Sequence, residues 1–82
     1  LVRPQKVGTV VLRLIDPPLE AAVSTRLAGM AERIESIHFR RTGADTVEIT
    51  CDVIFPVDFS SEDLIRALKD IPELYSVEMR WP

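Results

Sequence analysis

TVEITCDVIFPV, residues Thr46 to Val57, alternates strictly: Val47, Ile49, Cys51, Val53 and Phe55 fall on one side of an extended chain, and Thr46, Glu48, Thr50 and Asp52 on the other. Period two with one apolar side is the pattern of a strand that buries one face. We read it as the central strand of the fold. The other elements then either cover its apolar face or pair with its edges.

The chain has 82 residues, enough for one domain with a single core. Hydrophobic residues make up 46% and charged residues 28%, the balance of a folded domain rather than a disordered tail. A net charge of −3 argues against a broad phosphate-binding surface. The longest apolar run, Val10-Val11-Leu12, ends at Arg13, far short of the roughly 20 residues a membrane-spanning helix needs. Direct membrane insertion of these residues and nucleic-acid binding are therefore not expected. Cys51 is the one cysteine, so it has no internal disulfide partner, and its place in the apolar row makes it a small buried hydrophobe. The chain begins Leu1-Val2-Arg3-Pro4 without methionine, the start expected of a piece of a longer protein.

Residues 1–5 read as a linker because Arg3-Pro4 restricts the backbone, and residues 6–82 as one domain. Lys6 to Ile15 is rich in β-branched residues, with Gly8, Val10, Leu12 and Leu14 on one face and Val7, Thr9, Val11, Arg13 and Ile15 on the other. Apolar side chains on both faces place this strand inside the sheet. Asp16-Pro17-Pro18 is a helix start, an N-cap followed by proline where no amide hydrogen is needed. Leu19, Val23, Leu27, Met30 and Ile34 form the stripe of a helix that follows. Gly29 costs that helix about 1 kcal/mol relative to alanine; close approach to the sheet would explain it.

Ser36 to Arg41 alternates again, Ile37 and Phe39 inward and His38 and Arg40 outward, and Thr42-Gly43-Ala44-Asp45 joins it to the central strand as a hairpin. Pro56 ends that pairing. Ser60 and Asp63 form a capping box for a second helix running to about Ile71, which Pro72 stops. Leu74 to Trp81 makes the last strand, with Tyr75, Val77, Met79 and Trp81 on one face. The order βαββαβ predicts an α+β, ferredoxin-like sandwich: a four-stranded antiparallel sheet with both helices on one face and strands two and four at its edges.

His38, the one histidine, stands beside Arg40 and Arg41 and reads as a solvated edge residue, while Cys51 points to the opposite face, so no nucleophile–base pair forms. Glu48 and Asp52 lie about 13 Å apart along a strand, too far to share an ion. They are expected to balance Arg13, Arg40 and Arg80 across the sheet. RNA-recognition domains of this fold stack bases on strand aromatics, and here Glu48, Thr50 and Asp52 occupy those outward positions. Acylphosphatase-type chemistry needs backbone donors in the first loop, where this chain has Pro17 and Pro18. The residues show no catalytic set, metal cluster or cofactor motif, and a non-enzymatic role is expected.

Asp16 ahead of a helix, with Ile34 to Phe39 entering the second strand, resembles the layout of ACT domains, regulatory modules that often bind amino acids at paired interfaces. That resemblance makes Asp16 the candidate ligand-binding residue. ACT amino-acid binders typically carry a glycine shortly after that aspartate, where this chain has Pro17, Pro18 and Leu19. The alternative it supports is a small-ligand sensor attached to a soluble enzyme or transcription regulator.

A resemblance over most of the chain is to the cytoplasmic C-terminal, ACT-like domain of MgtC/SapB-family membrane proteins. It is carried by Leu64-Ile65-Arg66-Ala67-Leu68, then Ile71-Pro72-Glu73-Leu74, then Ser76-Val77-Glu78-Met79-Arg80-Trp81. It implies a regulatory or protein-interaction domain at the cytoplasmic face of a bacterial inner membrane, linked to low-magnesium adaptation and virulence. Its partner would be another protein or the membrane domain of the same chain. It does not imply that these residues bind magnesium. The unpaired edges of strands two and four also predict weak homodimerisation, although His38, Arg40 and Arg41 are charges of the kind that guard an edge.

Overall fold

A computed structural model describes residues 4–15 and 20–82. Its elements run β1 (Gln5–Ile15), α1 (Glu20–Met30), β2 (Arg33–Arg41), β3 (Thr46–Pro56), α2 (Ser61–Leu68) and β4 (Leu74–Arg80). The sheet order is β2-β3-β1-β4, antiparallel throughout. The ferredoxin-like arrangement is therefore the one expected, with β3 and β1 inside and β2 and β4 at the edges.

The alternation in β3 sets the two faces. Val47, Ile49, Cys51, Val53 and Phe55 are all buried, and β1 supplies Val10, Leu12 and Leu14 to the same side. Val23 and Leu27 of α1 and Leu64 and Leu68 of α2 complete one core cluster, so both helices cover one face. Leu64 and Leu68, four apart, share one side of α2. Fully burying such a side chain contributes about 1.5–3 kcal/mol. The other face is paved mainly with polar side chains, although Val11 is also buried there.

Several boundaries differ from the sequence reading. The chain leaves α1 at Met30, and Ile34 belongs to β2, where it pairs with Val53. A spacing of four from Met30 to Ile34 fits a helix, but the Glu32 amide already donates to the Ile54 carbonyl at 2.8 Å, so sheet pairing takes over there. A bulge at Glu35, between Ile34 and Ser36, keeps Ile37 and Phe39 on the helix-facing side. Yet these two remain 37% and 51% exposed. The 11 residues of α1 extend about 16 Å, against roughly 36 Å for an 11-residue strand, so the helix cannot cover the whole hairpin.

Gly29 faces open space, which rules out close sheet contact as its explanation. β1 already includes Gln5, paired with Pro56, and the Val57 amide donates to the Pro4 carbonyl at 3.1 Å. α2 stops at Leu68 rather than Ile71; Lys69 is its C-cap, and Ile71 is buried just beyond the helix. In β4 the register shifts beside Arg13, so Leu74 pairs with Leu14 and Tyr75 is 52% exposed instead of facing the core. Trp81 follows the strand and still packs on the core.

Candidate interaction surfaces

Antiparallel pairing places outward side chains in rows across the sheet. One row runs Arg40, Glu48, Arg13 and Ser76; a second runs Ser36, Asp52, Thr9 and Arg80. In the first, Glu48 bridges Arg13 at 3.2 Å and Arg40 at 2.9 Å, with only 14% of its side chain exposed. Arg13 also reaches Glu78 at 3.7 Å, which in turn holds Arg80 at 3.0 Å. Charge is thus compensated continuously from one edge of the sheet to the other.

The predicted partners of Glu48 are confirmed, while those of Asp52 and Arg80 are corrected. Asp52 accepts hydroxyl hydrogen bonds from Thr9 and Ser36, both at 2.9 Å, because these residues lie directly opposite it. Arg80 has a strand between itself and Asp52 and pairs within its own strand instead. Hydrogen bonding to Arg80, with further attraction from Arg13, lowers the Glu78 pKa from its ordinary value. His38 pairs across the ladder with Thr50 and is exposed.

Cys51 is fully buried, and desolvation, aided by neighbouring Asp52, pushes its thiol up to about 11. A thiol held neutral in this way is a packing group at physiological pH. Among the described residues, no group of three or more histidine, cysteine or carboxylate side chains is placed to hold a metal ion. Asp16, the candidate ligand-binding residue, lies outside the described residues, as do Pro17, Pro18 and Leu19.

Two features were not read from the sequence. Arg26 of α1 grips Asp70 with two hydrogen bonds of 2.7 and 2.9 Å and donates a third to the Ala67 carbonyl near the end of α2. The Asp70 carboxylate is lowered from its ordinary pKa chiefly by that bond. A shallow groove of about 270 Å³ also runs between α2 and β4, with Ile65 and Tyr75 on its rim. Its sequence signal was the adjacent pair Leu64-Ile65: neighbours on a helix lie about 100° apart, so only one can face the core centre.

Topology and surface together define a βαββαβ domain of the ferredoxin-like class, with a charge-compensated outer face. Among solved structures, the chain is similar to the solution structure of the C-terminal domain of the MgtC protein from Mycobacterium tuberculosis, with a TM-score of 0.70. The match covers 94% of this chain and 87% of that one at 16% identity. The fold is thus the one the family resemblance implied. Neither a family model nor a curated protein matches the sequence. Among the described residues, no helix is long and apolar enough to cross a membrane.

Proposed function

We propose that this domain is a non-enzymatic regulatory or protein-interaction module of an MgtC/SapB-like bacterial inner-membrane protein, placed at the cytoplasmic face and serving adaptation to low magnesium and virulence. The observation that carries this reading is the fold shared with the MgtC C-terminal domain over 94% of the chain. Two features of the chain itself support it. The outer face spends its charges on one another, and of the exposed apolar side chains Ile37, Phe39, Ile65 and Tyr75 lie on the edge strands and on the exposed side of α2, while Val7 and Ile15 belong to β1 and Val57 follows β3.

The test is made in the source organism. Deleting residues 6–82 from the genomic copy should impair growth at low magnesium while leaving the remainder of the protein in the membrane fraction. Normal growth of the deletion strain, or a full-length product found only in the soluble fraction, would overturn the proposal. The ACT-like layout supports the competing sensor reading, and calorimetric titration with a panel of amino acids addresses it. Binding that is lost in Asp16→Ala would favour the sensor over the interaction module.

A further inference from the structure

We infer that the free edge of β4 and the groove beside α2 take up an extended segment of another protein, apolar at two alternate positions with a carboxylate two residues later. This deepens the interaction-module reading and rests on it. The argument starts from backbone direction. Residues that exchange hydrogen bonds alternate along each strand of an antiparallel ladder. The Thr42 amide donates to the Thr46 carbonyl at 3.0 Å, so β3 turns Thr46, Glu48 and Thr50 toward β2 and Val47, Ile49 and Cys51 toward β1. Their partners Leu14, Leu12 and Val10 are then used on β3, which leaves Thr9, Val11 and Arg13 to bond β4. The Ile15 amide, donated to the Glu73 carbonyl at 2.8 Å, agrees from the other end. Opposite Thr9, Val11 and Arg13 stand Arg80, Glu78 and Ser76. Val77 and Met79, between them, therefore present their amide and carbonyl groups at the free edge.

A strand added there sets its own residues opposite Val77 and Met79 with their side chains on the helix-facing side, toward α2. That flank holds two hollows on either side of Ile65, about 270 Å³ toward Leu74 and about 300 Å³ toward Met79, and Val77 lines both. Ile65 and Tyr75, both half-exposed, supply apolar surface for the incoming side chains to cover. Charge then fixes the third position. Glu78 is already engaged by Arg80 and Arg13. Lys69, exposed where α2 ends, makes no salt bridge among the described residues, and its neighbour Asp70 is held by Arg26. An antiparallel segment, the slightly more stable direction, brings its C-terminal end to Lys69. A carboxylate two residues beyond the position opposite Val77 reaches that ammonium. A second copy of β4 fits poorly. Setting its Met79 and Val77 on these positions brings Trp81 rather than a carboxylate toward Lys69, and puts Glu78 opposite Glu78 where Cα atoms lie about 4.5 Å apart.

The probe is the amidated peptide acetyl-Ser-Val-Thr-Val-Thr-Glu-Gly, titrated into the isotope-labelled domain and followed by amide chemical shifts. So short a strand makes a small, weak interface, with dissociation on the order of 1 mM. Shifts should concentrate in β4 and on the groove side of α2. N-methylation of both valines, whose amides would face β4, should abolish binding, while N-methylation of both threonines should leave it unchanged. Ile65→Asp should weaken binding with the remaining spectrum intact. Lys69→Glu should weaken it about threefold, and a peptide with lysine in place of glutamate should recover the loss. Absence of binding, shifts centred on β2, or equal binding of the valine-methylated peptide would overturn the inference. Concentration-dependent β4 shifts without peptide would also overturn it, by making a second copy the occupant. Failure of the peptide would leave the growth defect of the residue 6–82 deletion in place, so the site and the interaction-module reading fail separately.

Discussion

Replacing Gly8 by alanine probes how the C-terminal tryptophan is seated. A Cβ at position 8 would lie 2.7 Å from Cζ3 and 2.9 Å from Cε3 of Trp81, with Sδ of Met79 at 3.1 Å. Non-bonded carbons settle at about 3.5 Å or more, so the indole must move. Its present position is fixed on several sides. Phe55 meets the ring edge-on at 5.8 Å, the Lys6 ammonium sits 4.1 Å from a ring centroid, and Nε1 donates to the Ser61 hydroxyl at 3.4 Å.

Overpacking of this kind costs about 1–3 kcal/mol. Alanine recovers roughly 0.5–1 kcal/mol of that, because it has less freedom than glycine to lose on folding. The net loss is then between about 0 and 2.5 kcal/mol, and each kcal/mol lowers the midpoint of thermal unfolding by about 4–8 °C. Trp81 is the only tryptophan, so its fluorescence reports both the displacement and the unfolding. In a Trp81→Ala background the same Gly8→Ala change should be neutral or slightly stabilising, a coupling of about 1–3 kcal/mol, the overpacking cost itself. An equal penalty in both backgrounds, or wild-type stability with an unshifted emission spectrum, would refute the packing argument.

Ser60→Ala removes the hydroxyl that accepts from the Asp63 amide and should cost about 1 kcal/mol, read as a lower urea midpoint with unchanged slope. Cys51 should resist a thiol reagent in the native protein at pH 8 and react fully in denaturant; rapid native labelling would contradict its burial. Acid should destabilise the domain through Asp63, Asp70 and Glu78, whose native pKa values lie below the ordinary 3.8, 3.8 and 4.5. Backbone and hydroxyl hydrogen bonds from Ser60 lead the effect at Asp63. A depressed native pKa means that the unfolded chain binds the proton first. The stability from these groups is thus complete above the ordinary values and drains away as pH falls through the lowered ones. Urea midpoints that stay flat from pH 5 to about 2 would contradict that sign.

Local pattern carried most of the fold. The alternation of β3, the proline at its end and the Ser60–Asp63 box each express a preference satisfied within a few residues, and each appears where the sequence placed it. The misreadings arose where two periods agree or where distant pairing decides. Met30 to Ile34 fits a helical step, and only the bond from Glu32 to Ile54 shows that the sheet has claimed the chain. Tyr75 continued a strand alternation that the register shift beside Arg13 interrupts. Likewise, the Arg26–Asp70 clamp joins residues 44 apart, and Gly8 waits for a tryptophan at the far end of the sequence. No local pattern announces either contact.

The outer face and the edges divide the surface between two roles. Glu48 is largely covered and shared by two arginines, and both Asp52 oxygens are occupied by hydroxyls. An incoming ion would have to displace these contacts, and an exposed ion pair gains little when exchanged for another. The half-exposed apolar side chains offer a different balance, since covering them releases water without breaking a bond. Ile37 and Phe39 occupy one edge, Ile65 and Tyr75 flank the groove at the other, and Val7, Ile15 and Val57 stand singly on β1 and just past β3.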